Sequence, residues 1–361
     1  MLYRHQLEVL NTGDTGRWNE VLDETGVYDF YHLPAFHHLA EIHGEGAAVM
    51  PVFREKGYVV AMPVLIRDIL IPSVADVGDG LKDATSVCGF VGPSASPLIP
   101  DDVKAHFQET IHDYLDQSKI VTVYNRLNPL TTPQSLLEGF GEISQVGVTI
   151  SIDLSVTSEE RFSRYRKDHR KDIRRLKREG FACEKVGMEC LDDFLCIYRD
   201  TMDRVQASSD YYYDKSYFEY LLSEMTDTVH LFICRVDGEV ASAYMVTDSG
   251  GIIGGYLSGT SDKYTSLGLS KLLYDEICDW GSERDASVFH VGGGVGAQRD
   301  SLYDFKMGFG GREHIYSTWR HVVNPKMYDE LCRESIKSVG ITPKEPYFPI
   351  YRHPTLSRRM L

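Results

Sequence analysis

Four stretches of the chain carry residue types that chemistry needs. Residues 301–311 read Ser-Leu-Tyr-Asp-Phe-Lys-Met-Gly-Phe-Gly-Gly, which sets Lys306 among aromatic residues beside a glycine turn. A lysine partly stripped of water would stabilise a developing oxyanion or hold a carboxylate or phosphate. Left in water, it would be an ordinary surface lysine. Residues 264–273 follow a predicted strand and open a helix. The backbone N–H groups of Leu267, Gly268, Leu269 and Ser270 would there meet the positive end of the helix dipole, which suits a phosphate or a polarised carbonyl. The same stretch also reads as a plain helix start.

The third stretch is basic. Arg161, Arg164, Arg166, Lys167, Arg170, Lys171, Arg174, Arg175, Lys177 and Arg178 stand against only Asp168 and Asp172. Phe162, Tyr165, His169, Ile173 and Leu176 recur at spacings of three and four, so one helix face packs inward and the other shows a dense positive field. Such a field is either a solvated surface or an attractor of phosphates, on RNA or on a small ligand. The fourth stretch, Gly292-Gly293-Gly294-Val295-Gly296-Ala297, loosely matches a dinucleotide fingerprint. The crossover strand that such a site requires is not evident, and no Gly-Lys-Ser/Thr follows. Tight turning and close backbone approach account for these glycines. His37, His38 and His43 are not joined by a matching third element, so no metal is expected. Tyr211-Tyr212-Tyr213 would line a pocket or join a core.

Alternating elements must position these stretches. Helices are expected at 17–25, 34–43, 101–115, 158–179, 191–204, 215–223 and 268–283. Strands are expected at 47–54, 58–66, 121–124, 146–154, 230–235, 240–247, 251–257, 288–291 and 315–319. Asp237-Gly238 is a hairpin signal, and Gly180 ends the basic helix. The order of helix pair, hairpin, third strand, helix and strand occurs twice. This predicts a mixed α/β (α+β) fold of two similar units in tandem: domains 1–150 and 151–340, then an irregular tail 341–361.

The 361 residues suffice for about two domains. A composition of 42% hydrophobic and 25% charged residues excludes a disordered chain, a collagen-like chain and a disulfide miniprotein. The net charge of −15 argues against a general coat for nucleic acid, and no DNA partner is expected. Seven cysteines without a C-x-x-C pair read as free thiols of a reducing cytosol. No run of 18 apolar residues and no signal-like start are present, so a cytoplasmic chain without a membrane span is expected.

Gly292-Gly293-Gly294 followed by residues 301–310 resembles the C-terminal signature of FemAB-like proteins, the peptidoglycan bridge-forming aminoacyltransferase-like branch of the GNAT acyltransferase superfamily. Arg174-Arg175-Leu176-Lys177-Arg178-Glu179-Gly180-Phe181 resembles the start of their second domain, and Tyr31-His32-Leu33-Pro34-Ala35-Phe36 their N-terminal helix. The resemblance implies two tandem GNAT-like domains, each a mixed, largely antiparallel sheet flanked by helices. It implies transfer of an aminoacyl group from aminoacyl-tRNA to an amine of a phosphorylated cell-envelope precursor, with no tightly bound cofactor.

The family's Phe-Lys pair maps onto Phe305-Lys306, with Lys306 stabilising the tetrahedral intermediate. Asp304, His290 and Tyr256 are then candidates to receive the amine's proton. Arg164, Arg174 and Arg175 would meet precursor phosphates or tRNA, with Tyr211 and Tyr212 beside the substrate. An alternative within the superfamily is acyl-CoA-dependent N-acylation of an amino sugar or amine metabolite, as in exopolysaccharide formation. Residues 267–270 would then cradle the pyrophosphate, and strand 254–258 would bond the pantetheine arm. The superfamily's Arg/Gln-x-x-Gly-x-Gly/Ala aligns with Thr265, Gly268 and Ser270, so Thr265 replaces the basic or amide residue, with Lys263 as the candidate substitute. A third reading is a binding protein that keeps the fold without the chemistry. The intact Phe305-Lys306 pair speaks against it.

Overall fold

The Asp237-Gly238 pair, with φ of 51° and 84°, closes a hairpin between the strands Val229–Val236 and Glu239–Ser249. Two successive positive φ values match the twist of the strands they join. The computed structural model describes residues 6–70, 80–343 and 347–357. Its contacts divide the chain into two units. One takes the described residues up to Val146 and those from Tyr316 onward, and the other is Gly147–Ile315.

The second unit holds, in sheet order, Glu142–Asp153 from its residue 147 on, Val288–Gly292, Ile252–Thr260, Glu239–Ser249, Val229–Val236 and Cys183–Val186. All neighbours are antiparallel except Ile252–Thr260 with Val288–Gly292. That parallel pair is connected through the helix Leu269–Ser282, because parallel strands need a crossover. Its register covers only Ile252–Gly254 against Val288–His290, so the two strands part beyond Gly254. The core beneath holds Ile152, Ile173, Leu176, Leu272, Ile277, Phe289 and Phe309.

The basic stretch is two helices, not one. Ser158–Arg164 ends at Tyr165, which has ψ of 144°, and Lys167–Arg178 begins after Arg166. The break lets the buried Tyr165 ring meet Phe309 edge-on at 5.2 Å, while the Arg166 N–H donates to the Gly308 carbonyl at 2.7 Å. Tertiary packing here overrides a continuous helical pattern.

The first unit repeats the device. Its strands are Gln6–Asn11, Ala47–Glu55, Tyr58–Ala61, Val64–Asp68, Lys82–Thr85, Ser94–Ala95, Ile120–Arg126 and the part of Arg312–Val322 from residue 316. Among the described strands of this unit, only Lys82–Thr85 and Ile120–Arg126 pair in parallel, joined through the helix Asp101–Gln117. The strand expected at 58–66 is split at Met62-Pro63, where proline supplies no N–H to a ladder.

Residues 316–340, expected in the second domain, pack with the first unit instead. Trp319 is buried, with its indole N–H donating to the Phe140 carbonyl, and Leu331 joins a cluster with Val121. The tail expected to be irregular holds the turn Ile350–Arg352 and the helix Pro354–Ser357. The Tyr351 hydroxyl bonds Thr122 Oγ1 at 2.7 Å. All seven cysteines are free thiols. Among the described residues no helix is long and apolar enough to cross a membrane.

Candidate functional site

The helix Ser301–Met307 starts at Asp300, whose carboxylate accepts from the Tyr303 N–H and from the Val295 N–H, each at 2.9 Å. One side chain thus caps the helix and clamps the glycine loop to it. The loop needs its glycines. A Cβ on Gly294 would strike the Asp300 carboxylate and the Gln298 carbonyl, and one on Gly293 would strike the Val148 carbonyl.

This packing brings Lys306 against the loop. Its Nζ donates to the Gly293 carbonyl at 2.6 Å, and the residue is only 8% exposed. Burial pushes the ionisation of this ammonium down to about 8, with the Asp300 carboxylate acting in the opposite sense. An ammonium has three donors, so others remain for a second oxygen. His290, on the neighbouring strand, is buried. Burial first, then the charges of His314 and Lys306, push its imidazole down to about 3, so it is neutral at pH 7. His314 Nε2 pairs with Ser151 Oγ at 2.7 Å.

Phe305 anchors the helix. Its ring lies 5.3 Å from both His169 and Tyr274 and 5.4 Å from Phe309, and its carbonyl bonds His169 Nε2 at 3.0 Å. Asp304 stands apart from Lys306. It is exposed, and side chains two residues apart on a helix do not face each other.

The turn at Leu267, Gly268, Leu269 and Ser270 opens the 14-residue helix Leu269–Ser282. Gly268 takes φ of 76° as its N-cap, and no side chain caps the N–H groups. The Ser270 hydroxyl lies 3.4 Å from Thr260 Oγ1. The basic helix ties this turn down: Arg175 donates to the Leu267 carbonyl and to Glu179, both at 2.8 Å. Lys271 in the first turn pairs with Asp172 at 2.6 Å. Thr265 Oγ1 bonds the Asp262 carbonyl, and Lys263 pairs with Glu239 at 2.8 Å. Lys263 therefore spends its charge on a carboxylate.

The positive field is thinner than its composition suggests. Arg161 is buried against Asp279, Arg164 pairs with Asp153 and Glu160, Arg166 with Asp168, and Lys177 with Asp275 and Glu276. Among the described residues, Lys167, Lys171, Arg174 and Arg178 are exposed and make no ion pair, although Arg174 lies over the Phe162 ring at 5.1 Å. Tyr256 bonds Tyr217 hydroxyl to hydroxyl, on the strand whose Gly254 lies opposite His290. Tyr211 and Tyr212 are exposed and bind the Leu191–Arg204 helix instead, through Tyr198 and Asp203.

Asp300, His314, Ser151 and His169 are parts of this site beyond those read from the sequence. Asp300 is visible in retrospect as a helix-capping acid. Ser151 and His314 are 163 residues apart and carry no local signal. Among the described residues, no group of three or more His, Cys, Asp or Glu is placed to hold a metal.

Residues 163–307 match the family described as Acetyltransferase (GNAT) domain. No curated protein matches the chain. Among solved structures, FemX superposes with a TM-score of 0.71 at 12% identity, covering 90% of this chain and 99% of its own. L-PGS from Bacillus licheniformis gives 0.54 at 15% identity, covering 86% and 92%. A tandem GNAT protein from the clavulanic acid biosynthesis pathway gives 0.50 at 12% identity, covering 89% and 99%. The fold is thus that of tandem GNAT proteins.

Proposed function

From its GNAT acetyltransferase domain, which makes the chain an acyltransferase, we propose the transfer of an aminoacyl group from aminoacyl-tRNA to an amine of a phosphorylated cell-envelope precursor in the cytoplasm. The observation that carries this reading is the Lys306 ammonium, buried and fixed 2.6 Å from the Gly293 carbonyl with donors to spare. The amine nitrogen attacks the acyl carbon, and the carbonyl electrons move onto oxygen. Lys306 holds that oxyanion while Gly293 fixes the direction of the ammonium. Collapse expels the 3′ hydroxyl oxygen of the tRNA, which takes up the proton that the amine loses, through the substrates or water. His290, neutral and buried, holds no second positive charge against the amine. Exposed Lys167, Lys171, Arg174 and Arg178 meet the phosphates. The likeness to FemX and to L-PGS over most of their lengths supports aminoacyl transfer.

The uncapped helix start at Gly268 and the parting of the strands beyond Gly254 favour a second reading, in which acyl-CoA is the donor. The spent charges of Lys263, Lys271 and Arg175 weigh against tight pyrophosphate binding there. Thermal unfolding with millimolar acetyl-CoA and, separately, with charged tRNA tests the choice. Stabilisation by charged tRNA that weakens steeply with salt supports our reading. Stabilisation by acetyl-CoA alone transfers it to the second.

A further inference from the structure

The first unit carries a polar face that the acyl-transfer site does not use. In the antiparallel pair Ile120–Arg126 and Arg312–Val322, Thr318 lies opposite Arg126 and Arg320 opposite Tyr124. Side chains alternate across a strand, so Val123 and Trp319 enter the core, while Tyr124, Arg126, Thr318 and Arg320 share the other face. Tyr316 continues that face one step further along.

Two guanidiniums therefore stand diagonally across neighbouring strands. The Arg126 guanidinium lies 5.5 Å from the Tyr124 ring centroid, and that of Arg320 lies 5.8 Å from the Phe348 ring centroid. Both residues are half-buried, and neither makes an ion pair with a carboxylate among the described residues. Glu45, whose field reaches Arg126, is not within ion-pairing distance of it. Thr318 is 2% exposed, yet its Oγ1 has no hydrogen-bond partner, and neither has the buried Nε of Arg320. Buried polar groups are nearly always paired, and on this face Arg126 is met by tyrosines rather than by a carboxylate. These groups share one face of two adjacent strands. Two planar forks and a hydroxyl on one face, each fork beside an aromatic ring, have the donor chemistry for the oxygens of a phosphate or carboxylate.

We propose that this face of the first unit binds an oxyanion, the phosphate or carboxylate group of a small ligand, between Arg126, Arg320 and Thr318. The proposal does not depend on the acyl-transfer reading, and its test needs no turnover. The full chain is titrated calorimetrically, and melted, with inorganic phosphate, pyrophosphate and malonate, each against sodium chloride of equal ionic strength. A saturable heat and a saturable rise in melting temperature are expected. Response to phosphate and pyrophosphate assigns a phosphate ester, and response to malonate alone assigns a carboxylate.

Arg126→Met and Thr318→Val should each weaken the response by roughly tenfold or more, the loss expected for one charge-assisted contact. Without anion, Arg126→Met should still melt cooperatively, so that a lost response reports the site and not unfolding. Arg126→Lys, which keeps the charge but not the fork, serves if the methionine variant does not fold, and should also bind more weakly. Absence of any saturable response beyond the chloride control would overturn the proposal. So would a response that survives in Arg126→Met, Arg320→Met.

Discussion

Replacing Lys306 by Met should raise stability at neutral pH while destroying turnover. The buried ammonium ionises at about 8 against an ordinary 10.5. That depression means the charged form is disfavoured in the folded chain by about 3 kcal/mol at pH 7. Methionine fills similar volume without the charge, but gives up the hydrogen bond to the Gly293 carbonyl, which contributes about 1 kcal/mol. The variant should therefore be more stable by about 2 kcal/mol at pH 7. The sign follows from proton uptake: between pH 8 and 10.5 the unfolded chain binds a proton that the folded chain does not, so wild-type stability rises with pH there. The lysine's penalty is complete below about 8 and absent above about 10.5. The stability difference between variant and wild type should therefore shrink across this window and reverse to about −1 kcal/mol at its top. Urea unfolding of both proteins from pH 7 to 10.5 measures it. Turnover of the variant should fall by about 10²–10³, as on loss of an oxyanion donor, and wild-type turnover should decline above pH 8. A variant less stable than the wild type at pH 7, or a difference that does not vary with pH, refutes the reasoning.

Gly293→Ala should destabilise by about 1–3 kcal/mol and slow turnover, because its Cβ meets the Val148 carbonyl and moves the oxygen that Lys306 grips. Unfolding midpoints and single-turnover rates would reveal it, and an unperturbed rate in a destabilised variant would separate the loop from the chemistry. Charge reversal of Lys167, Lys171 and Arg174 together should lower tRNA affinity and flatten its salt dependence by about two to three units of slope. An unchanged slope would remove the basic helix from the interface. Cys183 and Cys234 lie opposite each other with Sγ atoms 3.2 Å apart, and the hydrogen bond with the Cys234 thiol, then burial, holds Cys183 protonated. Thiol titration should therefore find this pair slow toward alkylating reagents at pH 7, with the exposed Cys88 and Cys196 reacting first.

Local signals carried much of this architecture. Asp237-Gly238, Gly180 and the three-four spacing of Ile173 and Leu176 are readable because each is set by neighbours in the chain. The break at Tyr165 is not, because it depends on Phe309 and on the Gly308 carbonyl, more than a hundred residues away. The same holds for the site. Lys306 stands out by its glycines and aromatic neighbours, and Gly268 by its place before a helix. The ion pairs that consume Arg164, Arg175 and Lys263 depend on acids brought near by folding, so charge counting overstates the positive field. The strand expected at 315–319 is found as Arg312–Val322, yet nothing in its sequence says that Trp319 belongs with Phe140.

The first unit is interrupted: its closing strand and helix lie beyond the whole of Gly147–Ile315. During synthesis, the usual order of N-terminal folding before C-terminal folding is therefore inverted. The second unit is continuous and can finish its sheet as soon as its own residues emerge. The earlier one waits for about 200 more residues, roughly 10–40 s at ribosomal speeds. Through that interval Phe140, Val123 and the edge of Ile120–Arg126 lack the strand that covers them. An open sheet edge with apolar residues is what holdase chaperones capture. Nascent chains arrested before residue 316 should accordingly depend more on chaperones than the released protein does.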